Sequence, residues 1–483
     1  MQPPSPGAKR IVVVGGGIAG LAAAHRLVER SAGAAVPPRV TLLEASPRLG
    51  GVIDTRARDG FLLEGGPDSF LTEKPWALAL CRRLGLAGEV IGTNEACRRV
   101  FVVRAGRLEV VPEGFYLLAP VRVLPFLATP IFSWRGKLRM MMELFIRARE
   151  GDADESLGDF VRRRMGREAL DRLVEPMVAG IYTADPDALS LKATFPRFLE
   201  MERTYGSVTR GLRARARERK TASAERGATG VRYTLFATLR GGMRALVDAL
   251  SARLGAVEVR TGVRAAAVEP GGAEAPWRVR LASGGDVPAD AVILALPAHA
   301  SADLLRGADA ALAGLLDGIP YASTAVVNVA WRREDVPHPL DGFGFVSPFA
   351  EGRELVGVTF SSVKFAGRAP EGAVLVRAFV GGARRPDLAE RDDAAMEASV
   401  RRELRELMGI AAAPLFVDIW RHPRSLSQFP VGHLDRVAAL GGRLKALPGL
   451  ALAGNGYDGG GVPDSIRSGE SAADTLVGIA NAD

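Results

Sequence analysis

A glycine-rich turn between an apolar run and a helix-forming run constrains this chain more than any other segment. Residues 11–20 read IVVVGGGIAG, and residues 22–29 predict a helix. In such a unit Gly15 permits the tight turn, Gly17 lets the backbone approach a pyrophosphate, and Gly20 allows close helix–strand packing. The amide groups and the dipole at the helix start favour negatively charged phosphates.

An acidic residue follows one βαβ unit later. A second apolar run, residues 40–43, ends in Glu44, whose carboxylate can accept hydrogen bonds from an adenosine ribose. Glycine-rich turns also occur for purely conformational reasons, so the glycines alone are weak evidence. The order of strand, glycines, helix, strand and acidic residue favours a dinucleotide site over a bare turn.

The residues after Glu44 narrow the choice between a nicotinamide cofactor and a flavin. Arg48, Gly50 and Gly51 add a segment that a nicotinamide enzyme does not need. Here the chain resembles the flavin-containing amine oxidase superfamily, in which a glycine doublet wraps the cofactor. The resemblance implies FAD.

Length and composition fit a multidomain enzyme. The chain has 483 residues, 47% of them hydrophobic, which is enough for two or three domains around a large core. Residues 1–10 are proline-rich and predict a short disordered lead-in rather than a secretory signal. Cys81 and Cys97 are too few for a disulfide framework or a cysteine-rich metal site, which favours a reducing, cytoplasmic setting.

The net charge of +8 comes mainly from arginine and could attract nucleic acid, anionic lipid or an acidic small molecule. No helix-turn-helix, zinc finger or interleaved aromatic platform accompanies this charge, so we expect no nucleic-acid partner. We interpret the densest basic run as an exposed, mobile loop within a stretch ending at Gly230. The run consists of Arg213, Arg215, Arg217, Arg219 and Lys220.

Residues 115–146 form a segment rich in large apolar residues. Their apolar residues are Tyr116, Leu117, Leu118, Leu124, Phe126, Leu127, Ile131, Phe132, Trp134 and a Met140 to Met142 run. Three prolines interrupt the segment, so nothing in it approaches the roughly 20 apolar residues that cross a bilayer. Two interpretations stay open. The segment is either a helical subdomain with a Met- and Phe-rich core, or a membrane-facing surface whose arginines meet lipid headgroups.

The last glycine-rich segment spans residues 450–473. A strand of small and apolar residues leads to Gly454, passes Gly459, Gly460 and Gly461, and opens a helix near Asp464. Consecutive glycines allow close backbone approach, and a helix start offers partial positive charge to the anionic edge of a reduced flavin. The alternative is a glycine-rich helix entry without a ligand.

Segments spread over nearly the whole chain resemble the porphyrinogen oxidases of haem synthesis. They are GGGIAGLAAAH at Gly15, EASPRLGG at Glu44, LLEGGPDSF at Leu62, GIYTADPDALSLKATFPRFLEMER at Gly180, LRGGMRALVDAL at Leu239, SQFPVGHLDRV at Ser427 and GVPDSI at Gly461. The segments at Gly180 and Ser427 are the most specific to this family. The resemblance implies oxidation of protoporphyrinogen IX or coproporphyrinogen III, with molecular oxygen reoxidising FAD.

The resemblance also implies a set of site residues. Flavin contacts are expected from Gly15, Gly16, Gly17, Ile18, Ala19, Gly20, Glu44, Ala45, Arg48, Gly50, Gly51, Gly66, Pro67, Asp68, Ser69, Val263, Asn455, Gly460, Gly461 and Val462. Arg99 aligns with an arginine that binds a substrate carboxylate, with Arg98 as runner-up and a solvated surface arginine as the alternative. Gly180, Ile181 and Tyr182 resemble the pocket wall over the macrocycle, with core packing as the alternative for the last two.

No side chain needs to act as a catalytic base, because flavin N5 accepts the hydride and the pyrroles stabilise the cation that forms. His25, His299, His338, His422 and His433 are therefore given no catalytic role, and no metal site is expected. The chain departs from the family at four places, where Asp68 replaces Asn, Thr183-Ala184 replaces Ala-Gly, Ser465 replaces Cys and Pro430 replaces a hydroxyl residue. These departures leave the choice between the two porphyrinogens open.

The expected architecture is α/β. It has a Rossmann-type FAD-binding domain in residues 1–95, 232–302 and 446–483, a mixed-sheet substrate domain in 96–111 and 303–445, and a helical subdomain with a basic loop in 112–231. We expect a cytoplasmic monomer or homodimer that can contact the membrane peripherally. The alternatives are a flavin amine oxidase or carotenoid desaturase and, in another class, a non-catalytic flavin-binding membrane or partner protein.

Overall fold

The two ends of the chain meet in one parallel β-sheet. The computed structural model describes residues 8–113, 115–116, 118–120, 122–225 and 235–480. The sheet has the order β12-β2-β1-β16-β22, formed by β1 (Arg10–Val14), β2 (Arg39–Glu44), β12 (Val257–Thr261), β16 (Ala291–Leu294) and β22 (Leu450–Leu452). Helices cover both faces, which explains why the central strands are continuous apolar runs. Strand β12 ends at Thr261, two residues before Val263.

The first and last long helices pack side by side on this sheet and run in the same direction. Helix α1 (Ile18–Ser31) contacts α18 (Val462–Ala480) so closely that a Cβ on Gly469 would lie 2.1 Å from the carbonyl oxygen of Ala19. Further along both helices, Arg26 Nε donates to Asp474 at 2.9 Å. The start of α18 therefore extends about 10 Å beyond the start of α1 at the same edge of the sheet.

Smaller sheets surround the parallel sheet. They are the hairpin of β3 (Thr55–Arg58) and β4 (Phe61–Glu64), the sheet of β5 (Phe70–Leu71), β6 (Val90–Gly92) and β11 (Phe236–Leu239), the sheet of β13 (Ala265–Pro270), β14 (Trp277–Leu281) and β15 (Asp286–Ala289), and the pair β9 (Phe115–Tyr116) and β10 (Ala119–Pro120). The β3–β4 hairpin leads directly into the segment that begins at Glu64 and joins the two large sheets.

A seven-stranded mixed sheet forms the second half of the molecule, as predicted. Its order is β21-β17-β20-β19-β18-β7-β8, built from β7 (Arg99–Arg104), β8 (Arg107–Val110), β17 (Tyr321–Arg332), β18 (Gly342–Val346), β19 (Leu355–Thr359), β20 (Ala373–Gly381) and β21 (Phe416–Ser427). All neighbouring strands are antiparallel except β18 and β7. Strands β7 and β8 form a hairpin around Gly106.

The remaining helices and short helical turns complete the fold. The helices are α2 (Pro75–Arg83), α3 (Val123–Ala128), α4 (Trp134–Met141), α5 (Leu157–Arg164), α6 (Arg167–Ala169), α7 (Glu175–Tyr182), α8 (Leu191–Thr194), α9 (Pro196–Tyr205), α10 (Val208–Glu225), α11 (Arg244–Ala252), α12 (Ala298–Leu305), α13 (Ala310–Asp317), α14 (Ser361–Lys364), α15 (Pro386–Ala389), α16 (Asp393–Met408) and α17 (His433–Leu444). A π-helical turn, Leu170–Val174, joins α6 to α7, and 3-10 turns cover Ala87–Glu89, Met142–Phe145, Arg333–Asp335 and Phe349–Glu351.

The apolar segment of residues 115–146 divides between two environments. Leu118, Phe126, Ile131, Phe132 and Met140 lie in the core of the helical part. A second group is exposed and comprises Val123, Leu124, Trp134, Leu138, Met141, Met142 and Phe145. Leu117 lies outside the described residues. The first group fits the interpretation as a helical core, and the second group is the surface that the membrane interpretation concerns. The described part of the chain contains no helix long and apolar enough to cross a bilayer.

The basic run is helical, so its prediction as a loop is wrong. Helix α10 includes Arg213, Arg215, Arg217, Arg219 and Lys220. The run lacks large apolar residues, but alanine, arginine, lysine and glutamate are strong helix formers, and no proline interrupts them. Arg215 donates to Glu200 of α9 at 2.8 Å. The end of the predicted loop, residues 226–230, lies outside the described residues.

Three helices pack on the parallel sheet although the expected domain division places most of their residues in the substrate domain. Helices α12, α13 and α17 share a buried cluster with Val12, Val14 and Leu294 of the parallel sheet. All three lie wholly or partly within residues 303–445, which the expected division gives to the substrate domain. We keep the three-part division as a proposal about folding units.

Candidate active site

The glycine turn after β1 leaves open space at the start of α1. Gly15 has φ +108°, and a Cβ on Gly20 would lie 1.9 Å from the carbonyl oxygen of Gly15. Gly17 differs, because its φ is −71° and a Cβ there would meet no protein atom within 4 Å. No side chain caps the helix at Gly17. The uncapped amides beside empty space fit the phosphates of a dinucleotide.

The glycine doublet is hydrogen-bonded to this turn. Gly50 N donates to Gly16 O at 2.8 Å, and Gly17 and Gly50 form a parallel bridge. Arg48 holds the doublet in place by donating to the carbonyl oxygen of Gly51 at 2.8 Å. The structure thus brings together two segments that the sequence predicted to bind one molecule.

Glu44 lies at the end of β2, beside the same turn. Its Oε2 accepts from Gly16 N at 2.6 Å and its Oε1 from Ser46 N at 2.7 Å. Its carbonyl oxygen accepts from Val263 N at 2.9 Å, which brings Val263 next to Glu44, while Ala45 is exposed. A carboxylate accepts more than two hydrogen bonds, so both oxygens can still bind a ribose.

Side chains from three adjacent strands of the mixed sheet bind the backbone of residues 64–66. Asn328 of β17 donates to Glu64 O at 3.2 Å, His422 of β21 binds Gly65 O at 2.7 Å, and Arg377 of β20 donates to Gly66 O. Because a carbonyl can only accept, His422 carries its proton on Nε2. Burial lowers the pKa of His422, which keeps the imidazole neutral. We call Asn328, His422 and Arg377 the carbonyl clamp.

Asp68 lies next to Arg377 of the carbonyl clamp. Asp68 accepts from Ser69 Oγ at 2.6 Å and from Lys364 Nζ at 3.0 Å. Arg377 lies 3.7 Å away. Burial opposes ionisation of Asp68, but Lys364 and Arg377 outweigh it and lower the pKa of the carboxyl.

Sequence reasoning missed Asn328, Lys364 and Arg377. Asn328 and Arg377 each interrupt an otherwise apolar strand, in VVNVAW and VLVRAFV. A single polar residue inside a buried strand is the signal that could have identified these two, because such a group needs a partner.

At the start of α18, Asp464 forms an ion pair with Lys74. Asp464 Oδ2 accepts from Gly461 N at 3.3 Å and from Lys74 Nζ at 2.5 Å. Gly460 lies close to the ring of Phe429, which a Cβ would approach at 3.5 Å, and Asn455 O accepts from Ser427 Oγ at 2.7 Å. The turn that precedes Val462 is thus packed against the chain after β21.

The proposed pocket wall is the end of α7. Gly180 is exposed, and a Cβ there would lie 3.4 Å from Val346 of β18. The side chain of Ile181 is 49% exposed. Tyr182 packs edge-on against Phe195 and Phe429, so core packing accounts for its ring. Gly180 and Ile181 are therefore the members of this trio that are open to a ligand.

Arg99 is the first residue of β7, the strand that pairs with β18. Its guanidinium pairs with Asp341, and its side chain is 60% exposed. Arg98 pairs with Glu95 at 2.9 Å. Neither arginine is buried, and a substrate carboxylate would have to compete with Asp341 for Arg99.

A parallel sheet whose first strand leads through an uncapped glycine turn into a helix is the architecture of a dinucleotide-binding domain. The profile of the family described as flavin containing amine oxidoreductase matches residues 18–477, so the chain belongs to that family. The protein is an FAD-dependent oxidoreductase, which confirms the cofactor and the enzyme class that the resemblance implied.

Relatives of known name cover nearly the whole chain. The coproporphyrinogen III oxidase of Propionibacterium freudenreichii subsp. freudenreichii is 36% identical, covering 97% of this chain and 91% of its own. The enzyme of the same name from Bacillus subtilis (strain 168) is 34% identical, covering 97% and 98%. Protoporphyrinogen oxidase 1, chloroplastic, of Arabidopsis thaliana is 32% identical, covering 92% and 83%. The predicted resemblance to porphyrinogen oxidases is confirmed.

Solved structures agree on the architecture. A provisionally named protoporphyrinogen oxidase from Exiguobacterium sp. 255-15 superposes with a TM-score of 0.85 at 29% identity, covering 98% of this chain and 99% of its own. A UDP-galactopyranose mutase superposes with a TM-score of 0.71 at 17% identity, covering 98% and 96%. At that identity the second likeness concerns the fold alone.

Proposed function

We propose that the protein oxidises a porphyrinogen to the corresponding porphyrin in haem synthesis, with coproporphyrinogen III as the preferred substrate. The observation that carries the proposal is 36% identity, over 97% of this chain, with a protein named coproporphyrinogen III oxidase. The exposed Gly180 beside Val346 adds support, because a missing side chain makes room for a flat macrocycle.

Bound FAD would accept a hydride from a methylene bridge and pass the electrons to molecular oxygen, in three rounds per macrocycle with three peroxides released. The chain's own residues bind and orient. The residues that hold the dinucleotide are 15–20, Glu44, Ala45, Arg48, 50–51, 66–69, Val263, Asn455 and 460–462. Arg99 binds a propionate, and Gly180 and Ile181 face the macrocycle. No side chain acts as a base, since protons leave from the pyrroles.

Anaerobic mixing of the holoenzyme with each porphyrinogen tests the proposal. We expect rapid bleaching of the flavin absorbance near saturating substrate, followed by porphyrin fluorescence once oxygen is admitted. Coproporphyrinogen III should give the higher kcat/KM. Bleaching by primary amines but by neither porphyrinogen would reject the proposal in favour of an amine oxidase.

We further propose a cytoplasmic enzyme, monomeric or homodimeric, that contacts anionic membranes peripherally. On α4 and the following turn, the exposed residues Trp134, Leu138, Met141, Met142 and Phe145 repeat at helical spacing, and Phe145 is 86% exposed. Arg135 is exposed on the same helix. An apolar face with nearby cations is suited to the lipid interface.

Flotation with vesicles containing anionic lipid tests the membrane contact, and analytical ultracentrifugation gives the oligomeric state. We expect the wild-type protein to float at low salt and a Trp134→Ser, Phe145→Ser double variant to remain at the bottom. Equal flotation of both proteins, or none of either, would reject the membrane contact.

A further inference from the structure

A cluster of buried charges lies beside the proposed flavin segment. Lys364 Nζ is 3.0 Å and 3.3 Å from the two oxygens of Asp68, and Arg377 Nη1 is 3.7 Å from the nearer one. The exposed fractions of the three side chains are 13% for Lys364, 4% for Arg377 and 16% for Asp68. Water and salt therefore screen these charges little.

Positive charge is in excess around this cluster. Arg368, fully buried nearby, donates to the carbonyl oxygens of Leu239 and Arg240 and does not neutralise a carboxylate directly. Burial raises the pKa of Glu64 to about 7, so this carboxyl is only partly ionised near neutral pH. Three cations therefore face one fully ionised carboxylate, Asp68, because an arginine keeps its proton even when burial lowers its pKa.

The cluster is attached to the flavin segment by backbone contacts. Arg377 donates to Gly66 O, and Asp68 comes two residues later. A Cβ on Gly66 would lie 1.8 Å from the carbonyl oxygen of Val52, which directly follows the glycine doublet. At the start of α18, the carboxylate of Asp464 is paired with Lys74, so these two charges offset each other. The excess of buried side-chain cations therefore lies beside residues 66–68.

We propose that Lys364, opposed by Asp68, sets the electrostatic potential at the flavin and makes it a stronger electron acceptor. The inference rests on the proposed flavin contacts of residues 66–69. Two-electron reduction gives the flavin negative charge, and a nearby buried cation stabilises that charge relative to the oxidised form. Lys364 acts through the electric field of its charge and does not contact the reacting atoms, so it is not a catalytic residue.

Two substitutions with opposite effects on the charge test this inference. Lys364→Met removes a positive charge, and Asp68→Asn removes the negative one while keeping an acceptor for Ser69. We expect Lys364→Met to shift the equilibrium toward oxidised flavin at least tenfold, which lowers the midpoint potential by about 30 mV for a two-electron couple. Asp68→Asn should shift it in the opposite direction. Sulfite, which forms an anionic adduct with flavin, should bind at least tenfold more weakly to Lys364→Met and more tightly to Asp68→Asn.

Lys192→Met, at an exposed lysine paired with Asp152, is the matched control and should leave both readouts unchanged. Lys364→Arg keeps the charge and should retain the wild-type potential. The inference would be overturned if the redox equilibrium constant and the sulfite affinity of both test variants stayed within twofold of wild type. Equal shifts in Lys364→Met and Lys364→Arg would also overturn it. If the wild-type protein itself bound no FAD, the proposed flavin site would fail instead.

Discussion

Asn328 and Arg377 lie directly opposite each other on antiparallel strands, and each donates a hydrogen bond to the same short segment of the cofactor half. With His422 on the third strand, they bind three consecutive carbonyls, those of residues 64, 65 and 66. Buried carbonyls need such partners. The mixed sheet thereby fixes the position of residues 64–66.

Asn328→Ala should destabilise the protein and weaken its hold on FAD. The substitution leaves the buried carbonyl of Glu64 without its Asn328 donor, which costs about 1–3 kcal/mol. Thermal unfolding and FAD titration of the apoprotein measure the two effects. Asn94→Ala, at an exposed Asn whose side chain accepts from Ala96 N, should change neither. An unaltered FAD dissociation constant in Asn328→Ala would show that the clamp does not position the flavin segment.

Gly17→Ala should separate folding from cofactor binding. The methyl group meets no protein atom within 4 Å, and the φ of −71° suits any residue, so the apoprotein should keep its melting temperature. The same methyl group occupies the space expected for the pyrophosphate, so FAD affinity should fall at least tenfold. Gly314→Ala, at an exposed position of helix α13, is the control and should retain FAD. Full FAD affinity in Gly17→Ala would remove Gly17 from the site.

Arg99→Ala should raise KM for the porphyrinogen about fivefold and leave the flavin spectrum unchanged, because an exposed ion pair contributes about 1 kcal/mol. Asp341→Asn should lower KM, since it frees the guanidinium that Asp341 now holds. Arg98→Ala is the neighbouring control and should behave as wild type. Steady-state kinetics with both porphyrinogens checks all three, and unchanged KM values in Arg99→Ala would discard this arginine.

Glu64 should make stability fall as the pH rises from about 4.5 to about 7. Burial raises the pKa of this carboxyl from 4.5 to about 7, so over that range the unfolded chain has lost a proton that the folded protein keeps. The folded state is then favoured at the lower pH, and the loss on ionisation amounts to roughly 3 kcal/mol. Chemical denaturation across this range should give a flatter profile for Glu64→Gln. Exposed Glu390→Gln should keep the wild-type slope, and an identical slope in Glu64→Gln would show that Glu64 ionises normally.

Apolar runs and glycine-rich turns in the sequence predicted the strands and the turn of the parallel sheet. The apolar runs before Gly15 and Ala295 are parallel neighbours, and the glycine doublet reaches the first turn because both segments need close backbone approach. The carbonyl clamp could not be predicted this way. Asn328 binds a carbonyl 264 residues away and Arg377 one 311 residues away, and such pairings depend on strand register across the mixed sheet.

Of two further features that the sequence did not predict, one has a local cause and the other a long-range cause. Arg213 and its basic neighbours form helix α10, because helix propensity rather than apolar content decides the conformation of a short charged segment. Ion pairing of Arg99 with Asp341 depends on the parallel pairing of β7 with β18, which brings together residues 242 positions apart. Neither strand alone indicates the other.

The parallel packing of α1 against α18 has a consequence for biosynthesis. A ribosome adding about 5–20 residues per second exposes the first helix tens of seconds before the last one emerges. During that interval the small side chains of α1, which face Gly469 in the finished protein, lack their neighbour. The amino-terminal strands and α1 therefore reach their final packing only after α18 has left the ribosome.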